Sequence, residues 1–422
     1  MTTPAFDALA PGREAIQRKT IRTLVLSQAL GGIAITSGIA VSTLLAEEIL
    51  GSPALAGLTQ TAQVLGAAAG AFVLARLMAA RGRRLGLVAG YAIGGVGAAL
   101  CVLAGAVASF AVLLAGTFAL GWATAANSQA RFAATDLAEP GKRARSLALV
   151  VWATTLGAVI GPNMTGPGAV VARWLGIPEI TGIFVLAFGT VAIGAGVLWR
   201  FLRPDPLLLA REHAAARGEA TSAHAGFRRV WAVVSVRPRA AAAMIAIAVA
   251  HGVMVSVMVM TPLHMGHGGA DLEIIGFVIS MHVLGMFAFS PLVGWLTDRV
   301  GHAAMLAGGS VLLLGSVALA GSAPEGHSAG LTVGLFLLGL GWSCCLIAGS
   351  ALLVDSVPFA DRPAAQGASD LLMGLFAAAA GAAGGAVVAI WGYAVLNIAA
   401  GVLALVVLGA AAVARKSRVA VA

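Results

Sequence analysis

Charge is scarce in this 422-residue chain. Only 10% of its residues are Asp, Glu, Lys or Arg, where a soluble domain carries about a quarter. A soluble globular fold is thereby excluded. Cysteine is scarce as well: Cys101, Cys344 and Cys345 all lie in apolar sequence, so no extracellular disulfide framework is possible. Cys344 and Cys345 are adjacent and would point about 100° apart on a helix, which keeps them from sharing one ion. No Walker motif, zinc-ligand spacing or nucleophile constellation occurs, so ATP-driven transport, hydrolysis and enzymatic chemistry have no residues to act through. Residues 1–20 are polar and too long for the leading part of a cleavable signal, and the first apolar span is expected to serve as its own insertion signal.

Long apolar runs are what the chain does have. Hydrophobic side chains make up 59% of it, and runs long enough to cross about 30 Å of hydrocarbon recur throughout. Twelve spans are predicted, at 22–45, 53–78, 85–106, 108–134, 146–171, 181–202, 240–262, 274–296, 303–322, 329–353, 366–390 and 393–414. The fold class is all-α: a polytopic membrane protein with twelve transmembrane helices in two six-helix bundles. Residues 1–202 form the N-terminal bundle, 203–239 a basic, partly helical linker and 240–422 the C-terminal bundle.

The net charge of +9 describes topology, not nucleic-acid binding. Taken over these spans, Lys and Arg fall on alternate connections, with Arg173 alone on the opposite side. Basic residues stay cytoplasmic, which places both termini and the linker inside a plasma (inner) membrane. The lipid bilayer is the expected partner, and the chain is expected to act as a monomer.

An internal repeat divides the chain in the same way. Asp136, Pro140 and Arg143 follow the fourth span; Asp355, Pro358 and Arg362 follow the tenth. After the eighth span the chain reads Gly294-Trp-Leu-Thr-Asp298-Arg299-Val-Gly301-His302. This loop resembles the cytoplasmic signature of the major facilitator superfamily, and the six-plus-six layout fits it over nearly the whole chain. The resemblance implies alternating access by two bundles around a midplane site, with Asp298, Arg299, Gly301, Asp370, Asp136 and Arg143 as the conformational switch. The counterpart loop at Ala79–Arg84 lacks the Asp, a departure that weakens a latch in the N-terminal half. Arg131 is expected to be held by Asp136 or by a helix C-terminus. Asp370 either couples protons or pairs with a basic residue such as Arg299 or Arg362.

One further stretch, Gly157-Ala-Val-Ile-Gly161-Pro162-Asn-Met-Thr165-Gly166, is similar to the glycine–proline motif of drug–proton antiporters, with Thr165 where glycine is usual. Pro162 cannot donate to the preceding turn and should bend the helix. The motif favours an exporter, and a proton-driven drug or metabolite efflux antiporter is the alternative function.

The densest chemistry lies between His251 and Met286. Six of the twelve methionines fall there, together with His251, His264, His267 and His282. Met254 and Met258 are four residues apart on the seventh span, as are His282 and Met286 on the eighth, so each pair shares a helical face. Counting 1.5 Å per residue from the outer turn places Met258 roughly 6 Å deep, Met254 and His282 about 12 Å, and Met286 about 18 Å. His264, Met265 and His267 lie in the predicted outer turn and could gather metal ahead of this ladder; His251 joins Met254 on the inner side. Thioethers and imidazoles suit copper and suit hard cations poorly, and weak sites in series let an ion enter and leave. Methionine is also a flexible apolar filler, and Met260 and Met281 read as packing.

The two pairs, at their separation and on these spans, resemble the paired motif of the CcoA-type copper importers of the same superfamily. That likeness implies copper as transported substrate, Met254, Met258, His282 and Met286 as the residues that handle it, and cytoplasmic copper chaperones as recipients. No bound cofactor is expected.

Overall fold

A computed structural model describes residues 10–52, 55–216, 218 and 227–419, and every regular element among them is helical. The chain divides into two compact units, Met1–Ala225 and Gly226–Ala422. The first holds α1 (Ala10–Leu50), α2 (Leu58–Arg81), α3 (Arg83–Ala106), α4 (Phe110–Ala133), α5 (Arg143–Ile160), α6 (Thr165–Leu175), α7 (Gly182–Phe201) and α8 (Pro206–Ala216). The second holds α9 (Phe227–Ser235), α10 (Pro238–His267), α11 (Leu272–Phe287), α12 (Ser290–Val300), α13 (His302–Gly321), α14 (Ala329–Ser356), α15 (Arg362–Trp391) and α16 (Tyr393–Val419). Among the described residues twelve stretches are long and apolar enough to cross a membrane. The fold is the all-α, polytopic one that the composition requires, because only helices and closed barrels satisfy every backbone polar group in hydrocarbon.

Two spans are broken. The fifth is α5 and α6 joined by a tight 3₁₀ turn at Pro162–Met164. The Gly161-Pro162 bend expected there is a full interruption of the α-helix. The eighth is α11 and α12, interrupted at Ala288–Phe289, with Pro291 in the first turn of α12, where its fixed φ and missing N–H are tolerated. Helix ends also overrun the predicted spans. Helix α1 begins at Ala10 and α10 continues through Pro262 to His267, because hydropathy finds the apolar part of a helix and not its polar extension.

In the first unit α1 packs on α4, α5 and α7, while α3 packs on α4 and α7. In the second, α10 packs on α14, α15 and α16, α11 on α14, and α13 on α14 and α16. Helix α14 is therefore the hub of the second unit, and most of its residues from Leu338 to Val354 are buried. Small residues allow this closeness: a Cβ on Gly339 would fall on the His282 carbonyl and within 2.8 Å of the Met286 nitrogen.

The two units repeat one polar device. Gly82 (φ +90°) and Gly301 (φ +91°) end α2 and α12 in a conformation that L side chains rarely adopt. The next residue in each case, Arg83 or His302, opens the following helix and reaches the Asp that follows α4 or lies near the end of α14. Arg83 donates to both Asp136 oxygens, at 2.8 and 3.1 Å, and both side chains are fully buried. His302 Nε2 lies 3.4 Å from Asp355 Oδ2 in a more open setting. Sequence spacing did not point to Arg83 as the partner of Asp136. Arg131 lies with its guanidinium donating to the Ser128 carbonyl at 2.7 Å and over the Phe132 ring. In the loop that lacks the signature Asp, Asp205 accepts from the Arg84 backbone N–H at 2.8 Å and caps the start of α8.

Removing one partner of a buried ion pair strands the other charge, at a cost of about 3–5 kcal/mol. Asp136→Asn should therefore lower the thermal unfolding midpoint of the purified protein clearly. The double variant Arg83→Met/Asp136→Leu should recover most of that loss.

Candidate functional site

The Met/His residues of α10 and α11 are placed by their packing on α14. On α10, Ile247 approaches Gly349 of α14, and His251 Nδ1 accepts a hydrogen bond from Trp342 Nε1 at 2.8 Å. Ile247 and His251 thus mark the α14-facing stripe, which Met254 and Met258 continue at helical spacing. Met254 is buried and Met258 half-buried. Met260 belongs to another face: its methyl group lies against Gly385 of α15, as expected of a packing residue.

On α11, His282 and Met286 also face α14. The His282 side chain is completely buried, with Nδ1 2.9 Å from the Leu335 carbonyl oxygen. A carbonyl only accepts, so Nδ1 carries the proton and Nε2 is left with a bare lone pair. Nε2 is buried and has no hydrogen-bond partner among the described residues. The Met286 Cγ packs at the position where a Gly339 side chain would begin.

Helix α14 also serves as a ruler of depth. One turn beyond the His251–Trp342 contact, Met254 comes abreast of the Leu335–Gly339 turn that holds His282, at about 1.5 Å of rise per residue. The lateral arrangement does not follow chain order: α10 and α11 touch one another little, and each is packed on α14. The Met254/Met258 and His282/Met286 pairs thus flank a common helix. Three groups escaped the sequence reading: Trp342, which orients His251 and stands edge-on to Phe287, the Leu335 carbonyl, and Gly339. A tryptophan amid the glycines of α14 was their only visible signal.

The proposed outer collectors are not assembled as a set. Helix α10 runs through all three, so they sit on a helix and not in a turn. His264 stacks on Tyr393 of α16 with ring centroids 4.2 Å apart, Met265 is fully buried, and His267 is exposed. At 100° per residue Met265 must point away from the face that His264 and His267 share. Tyr393 is fixed in turn by a 2.8 Å hydroxyl contact with Thr261. Among the described residues no group of three or more His, Cys, Asp or Glu side chains converges as a metal site.

The switch residues are spread over both units. Asp136 is bound to Arg83 as described, and Arg143 opens α5. Asp298 is half-buried and Arg299 lies over the Trp295 ring, with Gly301 capping α12. Asp370 is buried on α15.

Twelve apolar spans, a repeated six-helix plan and no nucleotide-binding motif define a secondary membrane transporter. The model of the Major Facilitator Superfamily matches residues 24–272 and 254–421, and the chain belongs to that superfamily, whose members transport and do not catalyse. Over 407 residues the chain is 37% identical to the uncharacterized MFS-type transporter YdeG of Bacillus subtilis, covering 94% of this chain and 92% of that one. It is 28% identical to the riboflavin transporter RfnT of Brucella anthropi, covering 84% and 85%. In fold it is similar to the human organic anion transporter MFSD10 (TM-score 0.73, 17% identity, 94% and 99% covered). It is likewise similar to the proton:xylose symporter XylE (TM-score 0.74, 15% identity, 96% of each chain).

Trp342→Phe should cost about 1–3 kcal/mol, because it removes the donor that satisfies His251 Nδ1 inside the bundle. The loss would be read as a lower unfolding midpoint. His251→Leu on that background should lower it little further.

Proposed function

We propose that this transporter carries copper into the cytoplasm by alternating access, using Met254, Met258, His282 and Met286 as successive ligands. The observation that carries the reading is His282. Its Nδ1–H is held by the Leu335 carbonyl, which leaves a neutral, buried Nε2 lone pair without a partner among the described residues. A ligating histidine is oriented in this way, by a hydrogen bond from its second nitrogen. An unpartnered polar atom inside a bundle is otherwise a net cost. Thioethers beside it would favour a soft ion over zinc or a hard cation. His251, His264, Met265 and His267 take no joint ligand role in this reading.

The protein acts in the plasma membrane, with both termini and the basic connections inside. It acts as a monomer, delivering copper to cytoplasmic chaperones. The switch at Asp298, Arg299 and Gly301, with Asp136, Arg143 and Asp370, governs exposure of the site.

A second reading, transport of an organic solute, rests on the similarity to a riboflavin transporter and on the glycine–proline break between α5 and α6. In that case Met254 and Met258 are packing. Radiocopper uptake separates the two. Met254→Ala or His282→Ala should lower copper accumulation tenfold or more at equal membrane abundance, and Met260→Leu should leave it intact. Unchanged uptake in both ligand variants would remove the copper reading. Copper-independent sensitivity of cells lacking the gene to a toxic compound would favour export.

A further inference from the structure

Between α1 and α7 in the first unit runs a groove of about 540 Å³, lined by Arg18, Lys19, Arg22, Leu26, Val197 and Phe201 among others. We propose that it binds an anionic phospholipid at the basic end of the bundle, a site separate from the transport path above.

The groove is amphipathic along its length. On α1, Arg18, Arg22 and Leu26 succeed one another every four residues, so all three share one face. From Arg18 to Leu26 is about 12 Å at helical rise, the distance from a lipid phosphate to the upper acyl chains. The charged end is formed by Arg18, Lys19 and Arg22, all exposed. The other end is apolar, and Leu26 (50% exposed) and Phe201 (48% exposed) leave it open.

Charge complementarity selects the occupant. Among the described residues no carboxylate lines the groove. Glu14, one turn before Arg18, forms no ion pair with it within 4 Å among the described residues. Lys19 Nζ donates to the Arg203 carbonyl at 2.9 Å, which ties α1 to the end of α7 and leaves two ammonium protons for a ligand. Two arginines spaced a turn apart can each present a guanidinium fork to phosphate oxygens. A soluble anion would use the charged end and leave the apolar walls in water. A phospholipid covers both, and basic pockets between transmembrane helices suit such head groups.

The test uses the purified full-length protein in detergent, with lipid retention read by native mass spectrometry and stability by thermal unfolding. Phosphatidylglycerol should bind at least tenfold more tightly than phosphatidylcholine and raise the unfolding midpoint. Arg18→Gln/Arg22→Gln should abolish that preference, and Phe201→Gln should weaken it. The control Arg415→Gln/Lys416→Gln, at another basic end of the chain, should keep it. Equal binding of the two lipids, or equal loss in the control, would overturn the proposal. So would inorganic phosphate or an acidic peptide giving the same stabilisation as phosphatidylglycerol, because either would make the groove a site for anions without acyl chains.

Discussion

Hydrocarbon offers the peptide backbone no hydrogen-bond partner, and that constraint governs almost every feature of this protein. It forces the spans to be helical, and it makes small residues the means by which helices approach one another. It also makes each buried polar side chain conspicuous. Arg83 and Asp136 satisfy one another, Tyr393 and Thr261 share a hydroxyl contact, and Trp342 serves His251. His282 is served on one nitrogen only. In such a setting a half-satisfied imidazole stands out from its apolar surroundings.

The second unit is organised around α14. It presents Leu335, Gly339 and Trp342 on successive turns, and each meets a different element of the Met/His constellation. Copper chemistry, if carried out here, would depend on this helix although it supplies no thioether or imidazole itself. It supplies a carbonyl that fixes a tautomer, a missing side chain that lets α11 approach, and an indole that holds His251 in place. The repeated Gly82–Arg83–Asp136 and Gly301–His302–Asp355 devices show the same economy at the basic ends of both units. A glycine in the left-handed half of backbone space turns the chain, and the residue after it anchors the next helix.

Much of this was legible in the residues alone. Apolar length located all twelve spans, because burial in lipid is a property of composition over about twenty residues and needs no knowledge of neighbours. The repeat of Asp, Pro and Arg follows the fourth and tenth spans, one copy in each compact unit. Helical spacing puts Met254 with Met258, and His282 with Met286, on shared helical faces, since the angle per residue is fixed by the backbone. Met260 reads from the sequence as an apolar filler, and its methyl group lies against Gly385 of α15.

What the tertiary structure alone decided is lateral: which helix stands beside which. Sequence order makes α10 and α11 neighbours along the chain, yet both pack on α14. Side-chain volume and small-residue contacts far apart in sequence select that neighbour. The same holds for Arg83 as partner of Asp136, 53 residues away, and for the stacking of His264 on Tyr393. Local periodicity determines the face a residue occupies and its depth. The partner across that face is set by the closure of the whole bundle, and so was the state of His282 Nε2.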